Sequence, residues 1–518
     1  MRLLDLTYAR YCRAMLYVQA VLLKVQAVLL KNCTFWMKLI IFNQENIMKT
    51  QHLYFAAFAI LFASCAKQEA EMSPVQSDNE LRTFVADFEQ TKTNLEPDGR
   101  KMIWSAGDTV GIFDASGVPQ PFETKTGGAS ATFTGSATAP SGSWYAFYPY
   151  SAKAKMEEKD GKHYLLSAIP EIQYAKKDGV SDNVTLLVAK CAANETTLSF
   201  KHACGLVKIE LPVECISVTL EVLNPNDLWT QPLSGGVKVD FGKPTDSWSE
   251  LLCYTSVTLV GENGGNIPAG TYYLAVKPID FKGDVLLSIR NAENKIYVKN
   301  RTGFTVGAGQ IRPITINPGW VEDDGLNLFS EMGGNSIYTY VSGDSWNSTQ
   351  PLHTTDENQP KIYGKKGTKI EYSSDKAWSG RVGLYEGNHD FTKFIDKGYS
   401  VEYFVKFDES MLKNDRQFVF RNLFKIGVAP WDTDYDACNI IRYNYGDYPS
   451  TLGIQDTEWH RISFPLTSKL MRNQTSVSQF IIDPNFTDNA QATAAKGSIF
   501  YFDEVRLVRK TPTETPTE

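Results

Sequence analysis

The residues of this chain best suited to chemistry are aromatic and lie where turns are expected. Trp346 in GDSWNST, Trp378 in DKAWSG, Trp431 in APWDTDYD, and Tyr443, Tyr445 and Tyr448 in RYNYGDYPS all sit in polar, turn-rich surroundings, where a ring used only for packing is less expected. Flat aromatic faces stack on the C–H surfaces of sugars, while a few amides, carboxylates or guanidinium groups take the hydroxyls. The competing role for each ring is a lid packed on the end of a sheet, so the set carries more than any one member. Trp459, in a strand with Ile462 and Phe464, is expected in the core.

Catalytic constellations are not legible. No G-x-G-x-x-G, Walker-type loop, H-E-x-x-H or nucleophile elbow occurs in a suitable context. Six histidines and no paired-cysteine tract argue against a zinc enzyme or a zinc finger. Trp104 and Asp108 in MIWSAGDTVGIFD suggest an acid beside a ring, yet no second carboxylate or histidine stands at a motif-like spacing. Their expected role is structural: the ring closes a core and Asp108 satisfies turn amides. His389 and Asp390 are adjacent, and sequence neighbours seldom form a catalytic pair. A glycosidase-type pair of carboxylates cannot be picked out among many acidic residues. A binding protein is expected, not an enzyme.

The elements that must position these residues are strands. The chain has 518 residues, 42% hydrophobic and 21% charged, with 25 Tyr, 28 Phe and 37 Gly, the composition of a folding, strand- and turn-rich protein. Its net charge of −7 gives no reason to expect nucleic-acid binding. Short runs alternate apolar and polar with period two. In VKIEL, Val207, Ile209 and Leu211 fall on one face; in SVTLEV, Val218, Leu220 and Val222 point inward, with Thr219 and Glu221 outward. No long amphipathic helix interrupts the pattern after Ser64, so an all-β fold of packed antiparallel sheets is predicted. Pro318, Gly319, Asp323, Asp324 and Gly325 punctuate a boundary between a region of 81–318 and one of 325–510, and residues 511–518 read as a solvated tail. Cys191, Cys204, Cys215, Cys253 and Cys438 are odd in number and irregularly spaced; small buried hydrophobes are expected rather than a disulfide framework.

The front of the chain reads as an address. Residues 1–47 hold the tandem repeat VQAVLLK (Val18 to Lys24, then Val25 to Lys31) and are expected to be a spurious upstream extension. From Met48, Lys49 is followed by the apolar run LYFAAFAILFAS, then Cys65 and an acidic tract with Glu69 and Glu71. The run is too short for a stable span. It resembles a lipoprotein signal peptide (48–64) with the surface-export tract of Bacteroidota lipoproteins, although Phe62 replaces the usual Leu. That resemblance implies Cys65 as the lipidation site, carrying palmitate-like acyl chains in the outer membrane with the protein exposed at the cell surface. Cleavage before Cys65 removes seven Lys/Arg and two Asp/Glu, leaving 45 against 57 and a net charge of −12. Residues 65–80 are expected to be a flexible tether.

The region 81–318 carries RTFVADF at Arg82, MIWSAGDTVGIFD, WYAFYPY ending at Tyr150, FKHACGLVKIEL at Phe200, IPAGTYYLAVKP at Ile267 and a closing GFTVGAGQIRPITIN. In this order the motifs resemble the fimbrillin-like (Mfa-like) lipoproteins of Bacteroidota. The resemblance implies two successive transthyretin-like sandwiches and a place as fimbrial shaft, anchor or tip subunit, with other fimbrial subunits as partners through strand donation. It also makes Arg100, in EPDGRKMIW, a candidate processing site; an ordinary solvated turn is the alternative.

The region 325–510 carries GTKIEYSSDKAWSG, YSVEYFVKFD, NLFKIGV, TEWHRISFPLT and SIFYFDEVRLVRK. It is similar to the galactose-binding-like jelly rolls of carbohydrate-binding modules. Val401, Tyr403, Val405 and Phe407 share one face of their strand. In the last strand Tyr501, Asp503, Val505 and Leu507 are expected on one side, placing a carboxylate among apolar groups that needs a cation or donors. The resemblance implies a structural Ca²⁺ held by Glu331 and Asp503; hydrogen bonds or an Arg partner are the alternative. The combined expectation is a surface lipoprotein acting as an adhesin, a fimbrial anchor or tip component that touches glycans. The alternative is a glycan-binding protein for polysaccharide capture and uptake.

Overall fold

The computed structural model describes residues 80–510 except 89–102, 224–231, 246, 316–320, 331–339, 344–351, 377–381, 414–415, 427–438, 444–455 and 472. The protein is all-β, with one short helix, Asn489–Ala494, capped by Asp488, whose Oδ1 accepts from the Gln491 amide at 2.8 Å. Among the described residues no helix is long and apolar enough to cross a membrane.

Seven strands close into a barrel in the order Glu80–Phe88, Thr197–His202, Leu187–Ala192, Ser143–Tyr148, Thr109–Phe113, Pro119–Thr124 and Ser130–Ala137, and the last closes onto the first. Closure leaves no free edge. Trp104 plugs it: the ring is buried, stacks on Phe88 at 4.6 Å, meets Phe133 and Phe200 edge-on, and donates from Nε1 to the Ala86 carbonyl at 3.1 Å. Asp108 Oδ2 accepts from the Ser105 amide at 2.7 Å, the turn role expected of it.

A sandwich follows. One face is a six-stranded sheet in the order Val321–Glu322, Ile296–Val306, Ile279–Asn291, Cys215–Val222, Ser256–Val260 and Ile172–Tyr174. The other is a four-stranded sheet in the order Ile311–Thr315, Gly205–Leu211, Gly270–Val276 and Gly179–Val180. Val207, Ile209, Val218, Leu220 and Leu274 interdigitate between them, as the alternation of VKIEL and SVTLEV predicts. Gln173 ties the two layers together, donating to the Ala275 carbonyl at 2.7 Å and accepting from the Ala275 amide at 2.9 Å. A further four-stranded sheet, from Lys155–Lys159 to Ser247–Tyr254, packs Leu165, Val237 and Val239 against Phe113 and Phe147 of the barrel. Cys191, Cys204 and Cys215 are buried, and burial pushes each thiol up, that of Cys191 to about 11.

The C-terminal part is a two-sheet sandwich. Its near sheet runs Leu352–Asp356, Gly367–Glu371, Ile499–Arg509, Tyr399–Phe407 and Trp459–Pro465, with Leu326–Phe329 added to Ile499–Arg509. Its far sheet runs Tyr340–Gly343, Val382–Asp390, Ser476–Phe486, Phe418–Ile426 and Asn439–Tyr443. Val401, Tyr403, Val405 and Phe407 enter the core together with Phe420, Phe424, Phe480 and Ile482 from the far sheet.

Candidate functional site

The far sheet is the scaffold for the aromatic segments. Tyr340–Gly343 ends where Val382–Asp390 begins, because Gly343 pairs with Val382. Phe418 pairs with both Phe486 and Tyr443, which puts Tyr443 at that same end of the sheet. The sequences bearing Trp346, Trp378, Tyr445 and Tyr448 therefore connect to one end. Trp431 belongs to the connection after Ile426, which pairs with Val477 at the opposite end. Trp346, Trp378, Trp431, Tyr445 and Tyr448 themselves lie outside the described residues, as do Cys65, Arg100 and Glu331; of Tyr443 only the backbone register is described.

At the centre of this sheet stands a residue that the sequence reading did not pick out. Phe480 and Ile482 face the core, so Gln479 faces the other way. Its side chain lies across the neighbouring strand at Gly383, where an added Cβ would stand 1.6 Å from Nε2. Only glycine permits that crossing. Gln479 is fully buried, and neither its Nε2 nor its Oε1 has a hydrogen-bond partner among the described residues. A buried primary amide with both ends unpaired costs on the order of 1–3 kcal/mol per group, so it marks a place where polar partners are wanted. The signal in the sequence was slight: one polar residue in the apolar run SVSQFII.

Asp503 is not where the alternation placed it. Phe500 and Phe502 enter the jelly-roll core, and so do Val505 and Leu507; Asp503 points to the opposite face. The reason is a bulge. Glu504 has φ of +51° and the pairing with Tyr399–Phe407 shifts between Glu402 and Phe404, which inverts the side-chain parity along the strand. Asp503 Oδ2 accepts from the amides of Ile362 and Tyr363 at 2.9 and 3.2 Å, while Oδ1 has no partner among the described residues. Burial, and then the charge of Glu504, push its carboxyl well above the usual carboxylate range. Among the described residues no group of three or more metal-ligating side chains gathers there. Calcium takes six to eight oxygens, so the described residues do not fit that ion, and the amide donors account for Oδ2.

The face to which Asp503 points is a docking surface between the near sheet and the six-stranded sheet. Ile172, Ile216 and Val260 pack against Ile362, Tyr363, Phe404 and Trp459. Trp459 is thus buried between sandwiches, not within one. Beside this apolar patch, Arg461 reaches Glu221 at 2.8 Å and Ser256 at 3.1 Å and also pairs with Glu402. Lys510 reaches Glu221 at 2.5 Å and pairs with Glu402. Burial alone would raise the Glu402 carboxyl, but Arg461 and Lys510 outweigh it and hold it at about 2. Glu171 accepts from Ser256 Oγ at 2.7 Å and from the Arg461 amide at 3.1 Å; burial nonetheless pushes it up to about 7. A second pair, Arg290 and Glu504 at 2.8 Å, is covered by Tyr363 stacked 4.8 Å from the Arg290 guanidinium. The passage between the sandwiches is short: Val321–Glu322 pairs with Ile296–Val306, and Leu326–Phe329 pairs with Ile499–Arg509. In between, Asp323 accepts from the Arg509 amide at 2.9 Å and Asp324 forms two hydrogen bonds with the Arg509 guanidinium.

No family model and no curated protein matches the chain. Solved structures do. The chain is similar to a candidate cell adhesion protein from Bacteroides uniformis, at 13% identity over 48% of this chain and 97% of that one, with a TM-score of 0.29. A candidate cell adhesion protein from Bacteroides ovatus matches at 13% identity over 42% and 86%, with a TM-score of 0.27. The C-terminal family 22 carbohydrate-binding module of a Clostridium thermocellum protein matches at 11% identity over 34% and 97%, with a TM-score of 0.17. These are the two kinds of protein that the sequence motifs resemble. At such TM-scores the likeness carries no weight about function.

Proposed function

We propose that the protein is a lipid-anchored adhesin of the outer-membrane surface, held by acylated Cys65, whose C-terminal sandwich binds glycans through the far sheet. The observation that carries this reading is that every candidate loop aromatic is attached to one sheet, with the segments bearing Trp346, Trp378, Tyr445 and Tyr448 joined to the same end of it. Rings supply the stacking faces that a saccharide ring needs, and the polar residues of the same segments supply donors and acceptors for its hydroxyls. The barrel and the first sandwich serve as the stalk. On this reading the chain works as a fimbrial anchor or tip component, with fimbrial subunits as partners.

The test has two arms. The full chain expressed in a Bacteroides host is labelled with palmitate and fractionated, with Cys65→Ser as control; label and membrane retention both depend on Cys65. The purified protein is then run through gels containing plant, microbial or mucin polysaccharide. Retardation that disappears in Trp346→Ala and Trp378→Ala variants supports glycan binding. Unretarded migration in every polysaccharide rejects it, and release of reducing sugar points to an enzyme instead.

A further inference from the structure

A cavity of about 230 Å³ opens in the first sandwich between the edge strand Ile311–Thr315 and the strand Ile296–Val306. Its floor is Leu220, Val285, Leu287, Phe304 and Ile314. The first four are at most 6% exposed, so the cavity runs into the core rather than along an open face. Two cations line it. Lys299 and Arg301 pair in register with Leu287 and Val285, and residues directly opposite on an antiparallel ladder share a face. Both cationic residues therefore share the face of the apolar floor and stand at the mouth of the cavity, Lys299 half-buried and Arg301 exposed. Neither has an ion-pair or hydrogen-bond partner among the described residues. The carboxylate nearest in register, Asp284, pairs with Thr302 on the other face and accepts from its hydroxyl at 2.8 Å.

A strand from another chain is a poor occupant. Pro313 lies in the edge strand and offers no amide hydrogen, which interrupts any ladder added there. The chemistry favours instead a short apolar chain ending in a negative charge. At about 30 Å³ for each water-sized group, the space holds roughly seven or eight of them. We propose that this cavity binds a small amphipathic anion, a carboxylate on an unbranched chain of about six to eight carbons. The tail lies on Leu220, Leu287 and Phe304, and the carboxylate sits between Lys299 Nζ and the Arg301 guanidinium.

The test is calorimetric titration of the purified full chain with octanoate, 1-octanol and acetate, each below its aggregation limit. Octanoate binds saturably and at least about tenfold more tightly than the other two, and added salt weakens it. In a Lys299→Gln/Arg301→Gln variant octanoate loses about tenfold while octanol is unaffected. The melting temperature of the variant shows that it is folded. Equal binding of octanoate and octanol, or an unchanged affinity in the folded variant, overturns the proposal and leaves the two cations as guards against edge-to-edge pairing. Absence of saturable octanoate binding overturns it as well.

Discussion

Arg461 and Glu221 are 240 positions apart in the chain and 2.8 Å apart in the fold, and both side chains are shut away from solvent. The pair joins the C-terminal sandwich to the one before it. Removing one partner strands an uncompensated buried charge, at a cost of about 3–5 kcal/mol. Arg461→Ala is therefore expected to lower the urea midpoint sharply. Arg461→Met combined with Glu221→Leu should cost less than the two single changes added together; strict additivity in the double-mutant cycle would show that the two groups do not interact.

Glu171 gives the docking surface a pH dependence of definite sign. Its carboxyl titrates at about 7 in the fold and at the ordinary carboxylate value when unfolded, so the folded state holds the proton more tightly. The stabilisation is complete below about pH 4.5 and is lost as the pH rises through about 7, a change on the order of 3 kcal/mol. Unfolding free energy measured by urea from pH 5 to 8 should fall in the wild type. The fall should be much smaller in Glu171→Gln, and parallel curves for the two proteins would contradict the assignment.

Gln479 offers a test of what an unpaired buried amide costs the fold. Replacing it by Leu removes two unpaired polar atoms from a buried position, so the melting temperature should hold or rise. A variant that melts well below the wild type would show that the amide is paired in solution.

Trp104 is the keystone of the barrel, with Phe88, Phe133, Tyr148 and Phe200 around it. Trp104→Ala is expected to cost about 3–5 kcal/mol. Trp104→Phe keeps an aromatic ring but removes the Nε1 hydrogen bond to the Ala86 carbonyl, and should cost less. Denaturation followed by far-ultraviolet dichroism checks the order of the two.

Much of the architecture was legible because a strand buried on one face writes its orientation into every second residue. Val207, Ile209 and Leu211 show it, as do Val401, Tyr403 and Val405. Thr219 and Glu221 show the limit: they read as a solvated face and are buried, because a sheet some 240 positions later covers them. Alternation records that a residue leaves its own core, not what it meets next. Asp503 was misplaced for a different reason. Period-two reading assumes an unbroken ladder, and the left-handed backbone at Glu504 shifts the count by one. Gln479 escaped notice because an isolated amide in an apolar run has no motif; its meaning comes from Gly383 across the ladder and from the missing partners.

Only residues 323 to 325 pass between a strand of the six-stranded sheet and one of the near sheet, and Arg509 grips both aspartates on the way. There is no hinge of slack chain at this point. If the proposed adhesive role holds, tension applied to the far sheet is resisted as shear across a layer of ion pairs and rings, where many contacts yield together, and not as the stretching of a linker.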